Sequence, residues 1–404
     1  MHHYFLTHAF YKVPLIKESP DPDLSIIVVI PALAEAHLIT TLNDLSSCAF
    51  ASASAFFSTE VIVVINHSED SNNEICEINE TTFYKSVEWS ALHSSPERRY
   101  HILYQPDLSR KKAGVGLARK IGMDEAARRF AVLNRPHGVI LSLDADCHVE
   151  KNYLMEVEKF FIDNPRIEGC SIAFEHPLEG LSDAHRKVII DYEMHLRYFI
   201  GMQRWAGCPY AFQTIGSAMA VRAGVYCKVG GMNMRQAGED FYFLHKVIAR
   251  GAFAELTSTT VYPSPRVSDR VPFGTGRAMT TALEGAPLTT YNPQSFIDLK
   301  AFIDVVPELY AFKGDLQNFF IQRDISLCVM HFLQENHFDK KLAELQSNTA
   351  SQRSFMKRFF HWFDAFLLMK YVHYARDGWY GNVEVGEAVN TSQKISGSAR
   401  IGQG

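Results

Sequence analysis

Runs of β-branched residues limit what this chain can fold into. They are SIIVVI at 25–30, VIVVI at 61–65 and GVILSL at 138–143, with a weaker one, HILY, at 101–104. A run that is apolar at consecutive positions is apolar on both faces, which suits a strand covered on both sides in a largely parallel sheet. The segments between the runs carry helical spacing, for example at 36–45 and 116–130. Strands joined by helix-length crossovers predict an open α/β sheet, whose ligands bind beyond the carboxyl ends of the strands. The polar clusters of the chain fall just after one of these strands or at the start of a helix.

Composition narrows the class. Of 404 residues 47% are hydrophobic and 21% charged, which describes a globular chain with a sizeable core. Forty Lys and Arg against forty-five Asp and Glu give a formal charge of −5, so no general affinity for nucleic acid is expected. The opening residues show no basic start followed by a long apolar stretch, and no run reaches the roughly 18–20 apolar residues that cross a bilayer. Seven scattered cysteines, never spaced as C-x-x-C, read as reduced thiols. The expectation is a cytoplasmic protein without a transmembrane span. Its order is a lead-in over 1–23, an α/β domain over 24–280, a helical region over 281–388 and a disordered tail over 389–404.

Asp144-Ala-Asp146 is the strongest chemical feature, placing two carboxylates one residue apart where a buried strand leaves the sheet. In an extended segment side chains at i and i+2 point the same way, so both carboxylates can face one ligand. Hard oxygen donors of this kind suit Mg²⁺ or Mn²⁺, although the same tripeptide is common in solvated turns. Gly114-Val-Gly116 opens a helix in a locally basic stretch, where Lys112 and Arg119 are candidates for phosphate or sugar contact and Arg128 and Arg129 read as an exposed face. Glu239-Asp240 opens another helix. The helix dipole alone favours acids there, and a carboxylate there also suits a general base. Arg266, Arg270 and Arg277 lie in a loop rich in Pro and Gly that would suit closure over a phosphorylated ligand. The aromatic-rich stretch from Phe355 to Tyr374 suits either peripheral contact with a membrane interface or the cover of a core. No H-E-x-x-H and no nucleophile-elbow pattern is present.

Taken in order, SIIVVIPALAEA, STEVIVVINHSEDSNNE, KKAGVGLARKIGMDEA, GVILSLDADCHVEKNYL and QTIGSAMAVRAGVYCKVGGMNMRQAGEDFYF resemble the family 2 glycosyltransferases over roughly residues 24–262. The resemblance implies a GT-A (Rossmann-like) sheet that binds a nucleotide sugar, with the helical region appended. Pro31, Ala32 and Glu35 would line the nucleotide, and Asn66 would stand where the family usually contacts the base through Asp. Asp144 would touch the ribose or metal, and Asp146 would ligate the Mg²⁺ or Mn²⁺ that bridges the diphosphate. Arg270 would add charge at the leaving group. Asp240 would be the base of an inverting transfer with Glu239 beside it, and Gly216, Ser217, Gly230 and Gly231 would flank the acceptor pocket. The donor would be a nucleoside-diphosphate sugar and the acceptor a glycan, lipid or small molecule.

Two departures stand out: the usual P-x-x-N-E reads Pro31-Ala-Leu-Ala34-Glu35, and the usual Asp-Asp-Gly-Ser reads Asn66-His67-Ser68-Glu69. Both fall in the base-recognition region. The alternatives are a silent sugar or nucleotide binder on the same fold, kept open by these changes, and a sugar-phosphate nucleotidyltransferase, whose usual glycine signature after the first strand is absent. A processive synthase is not expected, because Gln203-Arg204-Trp205 precedes the Glu-Asp pair and no membrane span is present.

Overall fold

The computed structural model describes residues 1–49, 58–266, 280 and 287–395. The described residues form two compact units, one of 1–180 with 214–277 and one of 181–213 with 278–404. The first holds an eight-stranded mixed sheet. Its strands are β1 (Leu24–Ala32), β2 (Ser58–Ser68), β3 (Arg98–Leu108), β4 (Val139–Ser142), β5 (His148–Val149), β6 (Gly169–Phe174), β7 (Met219–Arg222) and β8 (Phe253–Tyr262), in the spatial order β3-β2-β1-β4-β7-β6-β8-β5. Neighbours from β3 to β4 are parallel, whereas β7 runs antiparallel to both β4 and β6. The α/β architecture expected from the β-branched runs is therefore present.

The central strands explain why the runs carry no polar alternation. From Ile27 to Ile30 and from Val61 to Ile65 every side chain is fully buried, because helices cover both faces. Burying each of these side chains contributes about 1.5–3 kcal/mol. Three crossover helices position the loops at the strand ends: α2 (Leu38–Ser47), α3 (Asn73–His93) and α4 (Val115–Val132); α5 (Tyr153–Asp163) and α7 (Ala223–Lys228) belong to the same unit. The first two carry the chain from β1 outward to β2 and β3, and α4 brings it back to β4 on the other side of β1. The topological switch point thus lies between β1 and β4. At such a point the loops after adjacent strands diverge and leave a crevice.

Helix α4 is pinned from several directions. Gly122 meets β1 so closely that an added Cβ would lie 2.4 Å from Val29 Cγ1. Arg129, expected on an exposed face, is instead buried and bidentate to Glu60 at the start of β2, with Nη2 2.6 Å from Oε1. Helix α4 is buried around most of its circumference, so its charged positions turn inward and pair. The lead-in is tied to the same helix. A short N-terminal helix, α1 (His2–Thr7), brings the Tyr4 hydroxyl to donate to buried Asp124 at 2.5 Å, and Tyr226 donates to the same carboxylate at 2.6 Å.

The second unit is helical, from α6 (Asp183–Trp205) to the last described helix (Val385–Ile395), with one two-stranded ribbon. That last helix runs into the stretch expected as a disordered tail, because Val385, Ala388 and Ser392 bury one stripe; residues 396–404 lie outside the described ones. The aromatic stretch from Phe355 to Tyr374 forms core. Phe355, Phe359, Phe363, Leu368 and Tyr371 are buried, and Phe359 packs its ring against Phe302 and Phe338. The apolar face that the membrane-contact reading required is therefore turned inward. No described helix is long and apolar enough to cross a membrane.

The Arg129–Glu60 pair yields a stability test. Burial alone would lift Glu60, but His101, 3.6 Å away, and the hydrogen-bonded Arg129 hold its carboxyl below its ordinary value. Its contribution is then present above the ordinary carboxylate range and lost as pH falls through the lowered value. Arg129→Met leaves a buried charge without its partner and is expected to cost about 3–5 kcal/mol in urea unfolding at neutral pH. Adding Glu60→Leu is expected to restore most of that loss.

Candidate functional site

The loops at the switch point gather acidic residues from distant parts of the chain. Asp144 and Asp146 follow β4, Glu35 follows β1, and Glu239 and Asp240 open α8 (Glu239–Ile248). Glycine at 238, in the left-handed region at φ +68°, turns the chain into α8 and aims its first turn at the sheet. Asp144 and Asp146 do not lie in an extended segment as expected. They belong to a turn, Asp144 opening it and Asp146 inside it, closed by the Cys147 N–H donating to the Asp144 carbonyl at 3.2 Å, and their carboxylates meet different partners.

Arg119, on the second turn of α4, joins two of these acids. Its Nη2 donates to Asp144 Oδ1 at 2.5 Å and its Nη1 to Glu239 Oε1. The side chain is 2% exposed. Burial opposes its charge, but Asp144, Glu239 and Asp240 outweigh that effect and hold the guanidinium ionised. Expected at a donor phosphate, Arg119 instead has both terminal nitrogens on carboxylates, linking the D-x-D turn to the Glu-Asp helix. Lys112 is exposed, with its Nζ 5.9 Å from the Phe10 ring, and is not among the described groups on these acids.

Arg266 makes the second link. Its Nη1 donates to Glu35 Oε2 at 2.9 Å, its Nη2 to Glu35 Oε1, and the same Nη2 lies 2.9 Å from Asp146 Oδ2. It therefore spans the ends of β1 and β4. Among the three loop arginines it is the one the structure brings to the site; Arg270, the expected donor contact, and Arg277 lie outside the described residues. The signal that could have singled out Arg266 is its place just past the end of β8.

The remaining acids are held in an electrostatic balance that favours protons or another cation. Loss of water raises Asp146 to about 6, against the pull of Arg266. Glu239 is raised to about 7 by the same cause, against Arg119 and reinforced by Asp240. Asp240 is raised as well, first by desolvation, although Arg119 and hydrogen bonds from the Phe241 and Gly216 backbone oppose the shift. The Phe241 N–H donates to Asp240 Oδ1 at 2.7 Å. Among the described residues five carboxylates (Glu35, Asp144, Asp146, Glu239 and Asp240) thus face two guanidiniums.

The glycines at the site serve close approach. A Cβ on Gly216 would stand 2.8 Å from Arg119 Nη1 and 2.9 Å from its Cζ, so this residue is the floor under the guanidinium. A Cβ on Gly116 would stand 2.1 Å from the Arg235 carbonyl, which makes it a packing contact between α4 and the turn before α8. Gly231, expected beside an acceptor pocket, abuts the Tyr4 hydroxyl.

At the other end of the crevice, Pro31 and Ala32 close β1 and Asn66 lies buried in β2. Sequence reasoning missed Asn79, which connects the two strand ends from α3. Its Oδ1 accepts from the Ala34 N–H at 2.8 Å and its Nδ2 donates to the Asn66 carbonyl at 3.0 Å. The signal was a stripe of buried polar residues, Asn79, Thr82 and Ser86, at helical spacing. Ala34 itself sits at φ +51°, a region that Asn or Gly adopts more readily than Ala.

Among the described residues no group of three His, Cys, Asp or Glu side chains forms a self-sufficient metal cage. Two carboxylates with an excess of negative charge around them still suit a hard divalent ion, provided that ligand phosphates and water complete its shell.

No family model matches the chain, and no curated protein matches it. Among solved structures it is similar to that of S. aureus TarS 1-349 in complex with UDP, at 14% identity and a TM-score of 0.37 over 72% of this chain and 76% of that one. It is similar also to S. aureus TarS 1-349, at 12% and 0.40 over 84% and 92%. TarS 1-349 in complex with UDP-GlcNAc gives 13% and 0.38 over 91% and 92%. At such scores the likeness carries nothing about activity or ligand.

Two substitutions test the site's internal geometry. Gly216→Ala forces Arg119 off its partners and is expected to cost about 1–3 kcal/mol in urea unfolding. Ala34→Gly relieves the left-handed backbone and is expected to stabilise by about 0.5–1 kcal/mol, read as a rise in melting temperature.

Proposed function

We propose that this chain is a glycosyltransferase of GT-A architecture. It would transfer a sugar from a nucleoside diphosphate to an acceptor hydroxyl with inversion, as the family 2 glycosyltransferases do. One observation carries the reading: the D-x-D turn and the Glu-Asp helix, 95 residues apart, converge on Arg119 at the switch point. A solvated D-x-D turn and a merely dipole-stabilised helix start have no reason to meet on one buried guanidinium.

The geometry supports a role for each group. Asp240 takes the proton of the acceptor hydroxyl. Its raised pKa makes it a stronger base than an ordinary Asp. The hydroxyl oxygen then attacks the anomeric carbon as the bond to the diphosphate oxygen breaks, and one in-line displacement inverts the configuration. Glu239 and Asp144, fixed by Arg119, hold the D-x-D turn and the first turn of α8 in one arrangement through the reaction. Asp146, with Asp144, would hold Mg²⁺ or Mn²⁺, which when bound offsets charge on the leaving diphosphate. The excess of carboxylates over guanidiniums supports that assignment, since a diphosphate entering uncompensated would be repelled. The cytoplasmic setting and an acceptor that is a glycan, lipid or small molecule belong to the same proposal.

The test is binding of UDP-, GDP-, CDP- and dTDP-sugars by thermal shift, with and without Mn²⁺. One nucleotide is expected to stabilise the protein in a metal-dependent way, and Asp146→Ala is expected to abolish the shift. Absence of any shift with the wild type would remove the donor site from the proposal. Asp240→Asn should retain donor binding and lose at least about a hundredfold in transfer rate. Because the base must be deprotonated and burial raises Asp240, the wild-type rate should fall on the acid side from above the ordinary Asp range, and Asp240→Asn should abolish that limb together with the transfer.

A further inference from the structure

Besides the Arg266–Glu35 ion pair, the ends of β1 and β2 are joined by one buried neutral side chain. Asn79 is fully buried, and its amide uses both ends: Oδ1 on the N–H of Ala34 after β1, Nδ2 on the carbonyl of Asn66 in β2. One turn further along α3, Thr82 Oγ1 donates to the Glu35 carbonyl at 3.4 Å. The backbone of 34–35, which bends through the left-handed region at Ala34, is therefore fixed from beneath by α3. The same helix sends Phe83 to stack on Tyr104 at 5.0 Å, and the Tyr104 hydroxyl lies 3.3 Å from His67 Nε2. Nothing about the packing of β1 against β2 requires this, since the strands are already paired from Leu24 to Ala32. An amide spent on two strand ends at the mouth of a ligand crevice is a device for fixing the spacing of those ends.

We infer that Asn79 is the positioning residue for the nucleoside end of the donor pocket. It sets the distance between the Ala34–Glu35 turn and Asn66, and so decides which base fits between them. The inference rests on the nucleotide-sugar reading and deepens it. Asn79 touches no ligand atom; it acts through Ala34 and Asn66, the two places where the chain departs from the family pattern.

The test is calorimetric binding, in Mn²⁺, of UDP, GDP, CDP, dTDP and inorganic pyrophosphate to the wild type and to Asn79→Asp. The variant keeps an acceptor for the Ala34 N–H but sets a carboxylate oxygen against the Asn66 carbonyl. Its affinity for the preferred nucleotide is expected to fall about tenfold or more, the spread among the four bases to shrink, and pyrophosphate affinity to stay within about twofold. Thr82→Val, a gentler change on the same turn, should move nucleotide affinity in the same direction by about two- to threefold, and it carries the test if Asn79→Asp does not fold. An unchanged base preference, or a loss of pyrophosphate binding in parallel with the nucleotides, overturns the inference while leaving the transferase reading in place. Failure of the wild type to bind any of the four nucleotides overturns both.

Discussion

The buried guanidinium of Arg119 is the interaction on which the site depends. A charge this far from water is tolerated only with partners, and here the partners come from two segments that the sheet topology alone does not bring into register. Asp144 is fixed by the end of β4 and Glu239 by the start of α8, so the salt bridges turn two independent loop ends into one rigid edge. The requirement spreads outward. Gly216 has no side chain because the guanidinium lies on it, Gly116 has none because α4 must approach the turn before α8, and Gly122 has none because α4 must approach β1. Arg129 and Asp124 then fix the rest of α4, so that the position of a single side chain at the site is secured along the whole helix.

How much of this was legible in the sequence depends on the range of the interaction involved. The central strands were legible because their burial on both faces is written as consecutive β-branched residues. The positions of the D-x-D turn and of the Glu-Asp helix start were legible for the same local reason, since both adjoin recognisable elements. The conformation of the D-x-D segment was not, because the turn at Ala145–Asp146 depends on where the chain must go next to reach β5. The fates of Arg119 and Arg129 were also hidden. Both read as solvent- or ligand-facing cations on a helix assumed to have an exposed side, and α4 has little of one. Asn79 was hidden because a buried Asn on a helix has no sequence signature apart from its spacing to Thr82 and Ser86. The aromatic stretch from Phe355 to Tyr374 shows the limit from the other direction: a helix facing a core and a helix facing a membrane interface need the same composition.

The two ends of the crevice are stabilised by different physics, and this bears on how such a site can change. Around Arg119 and Arg266 five carboxylates crowd two guanidiniums, and desolvation raises Asp146, Glu239 and Asp240 against the pull of the arginines. A network of that kind resists substitution. Between the ends of β1 and β2 the hydrogen bonds from Asn79 are neutral and reach backbone groups, so they are indifferent to the side chains at 34 and 66. Ala can therefore stand at 34 despite its left-handed backbone, and Asn can stand at 66, with the strand ends still held in place. Substitution is expected to be tolerated where the fixing group binds backbone, and resisted where it binds charge.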